Sequence, residues 1–464
     1  MNQKPKSKSW AKCWKIVSLL SLWFAIIRGG GNADSVSAQG LTFTTSTYDA
    51  GNRPESIVAV DLNGDGKVDL AWANSRDNSI SVMTNDGSGG FALATTLNVG
   101  AYPNSLTAAD VNGDGKMDLI CANTGDNTIS VLTNAGYGNF TLASLANIGG
   151  FTYSLTAADI NGDGSVDLIC ANEYAGTLQI LTNDGSGNFT IASTLAVGCY
   201  PSSVVAADVN GDGKMDLICA NAIKSVSVFT NDGNGGFGLS STPETDYDSD
   251  YVIAADINGD GKVDLITANW NSISLSVLTN DGSGNFSTGC TIGVLDQDTR
   301  FGCPDGVAAA DMNGDGKVDL ICANWCAGLI QVFTNDGSGG FTLATAIQTT
   351  GSPAAVTTAD VNGDGKMDVI SVNGDNTLTV LANTSFFPPP TVIPSLTMKF
   401  QGQSLRVAWP SASSGWSLQQ SMDLTFPNWS PSGYGVYPIA DDGTNKCLTV
   451  PTSAGNLFFR LLHP

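Results

Sequence analysis

One histidine is all this chain of 464 residues has, His463 beside the C-terminus. That leaves no imidazole for a Ser-His-Asp or Cys-His relay in the body of the chain, and no His ligands for a zinc centre. Charge is scarce as well. Only 14% of residues are Asp, Glu, Lys or Arg, with 20 basic against 43 acidic and a net charge of −23. A chain this acidic is not built to neutralise phosphates, which argues against nucleic acid as a partner. Long apolar runs are missing too. The run from Ile16 to Ile27 has twelve residues, short of the ~20 that cross a bilayer core as a helix, so no membrane span is expected.

Lys4, Lys6, Lys8, Lys12 and Lys15 precede that run, and Val36-Ser37-Ala38 follows it with small residues at the cleavage positions. Residues 1–38 therefore read as a secretory signal peptide cleaved near Ala38. The expectation is a soluble protein, secreted or held at the cell surface, and monomeric. Cleavage would leave 14 basic and 42 acidic residues.

What is present in excess is glycine, 54 residues, and a repeat. The segment D-L-N-G-D-G-K-V-D-L at Asp61 to Leu70 recurs from Asp110, Asp159, Asp208, Asp256, Asp311 and Asp360, at spacings of 49, 49, 49, 48, 55 and 49 residues. Seven copies at one period mark a repeat architecture. Each copy carries Asp at positions 1, 5 and 9 and Asn at position 3, with a main-chain carbonyl at position 7. Hard oxygen donors on alternate residues of a tight loop suit Ca²⁺. Glycines at positions 4 and 6 allow the backbone to turn. A turn alone would need no third acid beyond its glycines. The bidentate Glu of an EF-hand is absent, with Trp72 in its place.

The candidate ligands are Asp61, Asn63, Asp65, Lys67 and Asp69 in the first copy, and Asp110, Asn112, Asp114, Lys116 and Asp118 in the second. They continue as Asp159, Asn161, Asp163, Ser165 and Asp167, then Asp208, Asn210, Asp212, Lys214 and Asp216. The last three sets are Asp256, Asn258, Asp260, Lys262 and Asp264; Asp311, Asn313, Asp315, Lys317 and Asp319; and Asp360, Asn362, Asp364, Lys366 and Asp368. Position 7 would give only its carbonyl, so Lys and Ser serve equally. Up to seven Ca²⁺ are expected, and the fold should gain stability from them.

Between metal loops the pattern is strand-like, with no helical periodicity. Phe91 to Leu97, Ser105 to Ala109, Leu119 to Ala122 and Thr128 to Thr133 make four short strands per repeat. A second motif, such as N-D-G-S-G-G-F at Asn85 to Phe91, closes a hairpin. Seven four-stranded units predict an all-β fold, a seven-bladed β-propeller over 41–384, with a solenoid as the other possibility. Alanines lead into the metal loops, as inner strands crowding an axis require. Leu41 to Thr47 is a strand without a blade, and the seventh repeat stops one strand short after Leu381, so the N-terminal strand should complete the last blade.

The two motifs together resemble the FG-GAP or VCBS-type repeat of the integrin α-subunit head and of many secreted bacterial proteins, from Leu41 to Asn383. The resemblance implies a propeller with calcium in the loops between first and second strands, and places the family's ligands on Asp61, Asn63, Asp65, Asp69 and their equivalents. The second motif departs at Asn134-Ala135-Gly136-Tyr137 and is missing from the seventh repeat.

Ten cysteines invite disulfides, but Cys121, Cys170, Cys219 and Cys322 hold one place in four repeats, too far apart in neighbouring sheets to bridge. They are read as buried small hydrophobes. Cys290 and Cys303 bracket the insertion in the 55-residue interval and form the disulfide candidate. Residues 385–394, with Pro388-Pro389-Pro390, are a stiff linker. Residues 395–464 read as a small all-β module of sandwich type.

Opposite the metal loops, the seven residues entering each inner strand include Arg53, Tyr102, Phe151, Tyr200 and Asp248, with Tyr153, Tyr247, Trp270, Arg300 and Trp325 nearby. Aromatics with a few charges would suit a sugar or a protein ligand, or they only pack beside the neighbouring prolines. The leading reading is a non-enzymatic binding or adhesion module for a glycan or protein. The alternative is a polysaccharide-active enzyme of lyase type, since acid pairs and Ca²⁺ can serve sugar chemistry.

Overall fold

The computed structural model describes residues 40–294 and 303–386 and, beyond them, 397–401, 404–410, 417–421, 430–431, 439–441, 445–451 and 458–462. The expected signal peptide, residues 387–394 of the linker and Arg300 lie outside the described residues. Among the described residues there is no helix, and therefore none long and apolar enough to cross a membrane.

Seven four-stranded antiparallel sheets follow one another around an axis. The first blade consists of Pro54–Val60, Asp69–Asn74, Ser79–Asn85 and Phe91–Asn98, in that order from inside to outside. Its inner strand lies beside the inner strand of blade 2 (Pro103–Ala109) on one flank and that of blade 7 (Pro353–Ala359) on the other, so the ring is closed. Closure uses both ends of the propeller. Phe43–Asp49 pairs with Thr377–Asn383 in register from Phe43↔Asn383 to Asp49↔Thr377, and becomes the outer strand of blade 7. The expected closing strand is confirmed, two residues later than read from sequence.

The second strand of every blade is buried along its whole length, as in Asp118–Asn123 and Asp216–Asn221. A strand with one wet face would alternate; between a terminal Asp and Asn these run almost wholly apolar because each face meets a neighbouring blade. The core accordingly consists of seven clusters, one at each seam. Ala71, Ala73, Ile80 and Val82 of blade 1 meet Leu106, Leu119, Cys121 and Leu132 of blade 2. Cys121, Cys170, Cys219 and Cys322 are fully buried free thiols, as the repeat argument requires. Trp72 stands at their place in blade 1 and fills the closing seam with Ile370, Val372 and Leu378 of blade 7, its indole N–H donating to the carbonyl of Ala50.

The strands described beyond residue 396 form a four-stranded and a three-stranded sheet, built on Ser404–Pro410 with Asn445–Pro451 and on Ser417–Ser421 with Phe458–Leu462.

Cys290 does not bond to Cys303. Cys303 pairs with Cys326, with Cα atoms 5.2 Å apart, and Cys290 is a free thiol on the outer strand of blade 5, Phe286–Gly293. Bracketing an insertion does not bring two residues together. The turn after the second strand does, because Trp325 N–H donates to Cys303 O at 2.9 Å.

Candidate functional site

Each metal loop joins a first strand to a second, and all seven fold alike. In the first, Asp61 Oδ1 accepts from the N–H of Gly64 at 2.7 Å, and its Oδ2 accepts from Gly66 at 2.8 Å. Asn63 Oδ1 accepts from Asp65 N–H, and Asp65 Oδ1 from Lys67 N–H. Gly64 and Gly66 have φ of 80° and 82°, a left-handed backbone that side chains resist, which is why both positions are glycine in every copy.

Asp69 is different. It is fully buried, with Oδ2 accepting from Leu62 N–H at 3.1 Å and Oδ1 from Asn85 N–H at 2.9 Å. Burial above all raises its pKa; the two N–H bonds pull the other way, and the charges of Asp65 and Asp61 add to the rise. The same causes push Asp319 up to about 7 and Asp368 up to about 6. An ionised carboxylate here lacks counter-charge.

Among the described residues, no three of the His, Cys, Asp and Glu side chains already converge as a metal cluster. The donor chemistry nonetheless fits a hard cation. Positions 1, 3, 5 and 9 offer only oxygen, and each carboxylate has about four lone-pair sites, more than its N–H partners use. An ammonium also stands in for a cation at six of the loops: the position-7 lysine places Nζ 2.9–3.7 Å from the position-5 carboxylate, as in Lys67 with Asp65 and Lys116 with Asp114. Sequence reasoning had given that side chain no role. In blades 1, 4 and 6 it also donates to the carbonyl of the Asp in the N-D-G turn, as Lys67 does to Asp86.

The Asn of that turn is a second residue whose role was missed. Asn85 Nδ2 donates to Val68 O in its own blade and to Val361 O in the preceding blade, at 2.9 and 2.7 Å. All seven equivalents reach across a seam in this way: Asn134 to Leu62, Asn183 to Val111, Asn231 to Ile160, Asn280 to Val209, Asn335 to Ile257 and Asn383 to Met312. The signal was its presence in all seven repeats, including the seventh, which lacks the rest of the turn motif. Asn231→Ala should therefore cost about 3 kcal/mol, since the carbonyls of Ile160 and Met215 lose a buried donor. Urea unfolding would show it as a lowered midpoint at unchanged slope.

On the opposite face, the loops entering the inner strands meet the turns that follow the second strands. Thr124 N–H donates to Tyr102 O and Trp270 N–H to Asp248 O. Arg53, Tyr102, Tyr200 and Asp248 sit at one equivalent position with φ between 52° and 65°. Tyr102 is 54% exposed, Tyr200 50% and Tyr247 49%, and Tyr174, stacked on Phe151, is exposed as well. Lys224 lies over the Tyr247 ring at 5.9 Å. Arg53 pairs with Glu55, and Trp325 lies across Gly374 of the next blade, where a Cβ would run into the indole.

Tyr153 is not on these loops. Every inner strand skips a register step after its first residue, as between Pro54 and Ser56, and the bulged residues are Glu55, Asn104, Tyr153, Ser202, Asp250, Asp305 and Ala354. Bulges of this kind re-aim side chains. Burial, then the charges of Asp305, Asp250, Glu55 and Glu173, pushes the Tyr153 phenol well above its ordinary pKa; the four acids come from four blades.

A family model described as FG-GAP-like repeat matches the chain six times, over residues 61–121, 110–170, 159–219, 208–267, 256–322 and 311–371. No curated protein matches the sequence. Among solved structures, BBS1N in complex with ARL6DN is similar at 12% identity and a TM-score of 0.54, covering 76% of this chain and 100% of that one. An Agrocybe aegerita lectin that recognises non-reducing terminal N-acetylglucosamine aligns at 20% identity and a TM-score of 0.48, over 76% of this chain and 97% of the lectin.

Proposed function

The chain belongs to the FG-GAP-like repeat family, and from that premise we propose that it is a secreted or cell-surface, calcium-loaded propeller that binds a glycan or protein at its loop face. The observation that carries the binding half is backbone strain. A bulky residue at positive φ is a costly outlier that persists when something else is gained, and such outliers gather at functional sites. Here three blades hold one at the same position, Arg53, Tyr102 and Tyr200, and two of the three are tyrosines that the strained backbone presents to solvent. Tyr102 packs on Gly125 and still leaves half its surface to solvent.

The calcium half rests on the oxygen donor set and on the six lysine ammoniums standing at it. Asp61, Asn63, Asp65, Asp69 and the carbonyl of Lys67, with their equivalents, would hold the ion. Calcium would supply counter-charge to carboxylates that otherwise repel one another, and its role is structural.

Tyr102→Gly separates strain from function. Glycine relieves the left-handed φ, so stability should stay level or rise by up to about 1 kcal/mol, while ligand affinity falls at least tenfold, as for an exposed aromatic anchor. The ligand comes from a panel of immobilised neutral and acidic polysaccharides and cell-surface proteins. Saturable binding without turnover, weakened by Tyr102→Gly, supports the reading. Unsaturated sugar product in place of simple binding would establish the lyase instead.

A further inference from the structure

We propose that the seven loops are not equal, and that the third, Asp159 to Asp167, is the tightest calcium site because it alone carries no internal cation. In the other six loops a lysine ammonium already occupies the position-5 carboxylate. A divalent ion must take that carboxylate over and then tolerate the displaced positive charge beside it. In the third loop position 7 is Ser165, whose backbone N–H donates to Asp163 at 2.8 Å and whose side chain carries an oxygen where the others carry an ammonium. The loop keeps the glycine and asparagine bonds of the others: Asp159 accepts from Gly162 and Gly164, and Asn161 from the N–H of Asp163. In formal charge the third loop thus differs from the other six by one ammonium. Calcium affinity in oxygen-ligand loops is tuned by the charge count around the ion.

The inference rests on the calcium reading above and adds a sequence of filling to it. An exposed ion pair is worth at most a small factor, so the third site should bind about two- to fivefold more tightly than the rest. At calcium levels that leave the other loops part-filled, blade 3 would then be the most occupied single site, and the lysines set where the remaining six respond.

The test is a calcium titration of the full mature chain at low ionic strength, in competition with a chromophoric chelator, on the native protein, Ser165→Lys and Lys116→Ser. Both substitutions are at solvent-accessible side chains, and far-UV circular dichroism checks the fold. The expected result is a first binding constant tighter than the statistical spacing of seven equal sites allows. Ser165→Lys should abolish that excess, and Lys116→Ser should create a second tight site. Several calcium ions bound with constants that neither substitution moves would overturn the inference and leave the calcium reading standing. No calcium bound to any of the three proteins would overturn both.

Discussion

Stripping the protein with chelator and then titrating calcium back should raise its melting temperature by about 10–20 °C. At free calcium ten times its dissociation constant each site adds ~1.4 kcal/mol, so seven sites filled together contribute about 10 kcal/mol. Spread over a propeller of this length, each kcal/mol moves the midpoint by ~1–2 °C. The physical source is local. Asp69 and its six equivalents are fully buried carboxylates with two further aspartates beside them, and a cation offsets the charge that burial penalises. Magnesium, which demands a smaller octahedral shell, should substitute poorly. An unchanged melt, with no calcium retained after gel filtration, would reduce the loops to turns.

The second large effect is predicted for the closing strand. A chain beginning at Gly51 loses the seven-residue ladder to Thr377–Asn383 and the carbonyl that receives the Trp72 indole. It also leaves the edge of blade 7 bare and apolar surface at the seam uncovered, which invites pairing between molecules. The expected outcome is a melting temperature at least 10 °C lower together with oligomers by size exclusion. Fusing residues 40–50 behind Ser385 of the truncated chain should restore a monomer, provided the connection reaches. A truncated chain that stays monomeric with an unaltered melt would show that the seam of Trp72, Ile370 and Val372 closes the ring without it.

Much of this fold is legible from one period. Seven copies of one motif at 48 to 55 residues, a four-strand pattern and a surplus strand at one end determine blade number and closure, because blades repeat the same local chemistry. The roles that were missed depend on neighbours one period away. Asn85 reads as a turn residue because turns favour Asn; its reach to Val361 of another blade is visible only in three dimensions. Lys67 reads as a carbonyl donor whose side chain is free to vary, and the placement of that side chain beside Asp65 depends on the loop's path. The Cys303–Cys326 bond had a signal that linear spacing hid. Residues 102 and 125 occupy the equivalent places in blade 2, where Tyr102 already packs against Gly125. The bulged ring of Glu55, Tyr153 and Asp305 has no sequence signature, since its residues share a position and not a type.

The pairing of Phe43–Asp49 with Thr377–Asn383 also governs time. Blades 1 to 6 are each made of consecutive chain and can assemble as it is synthesised. The seventh joins segments more than three hundred residues apart, and its ladder forms only after nearly the whole propeller has been made. Until then the first strand to emerge has no partner, and six blades of almost identical sequence offer it wrong ones. The outer strand that differs least from it, Phe341–Gln348, is already the fourth strand of its own blade, so prompt completion of each blade is what keeps the waiting strand from the wrong edge.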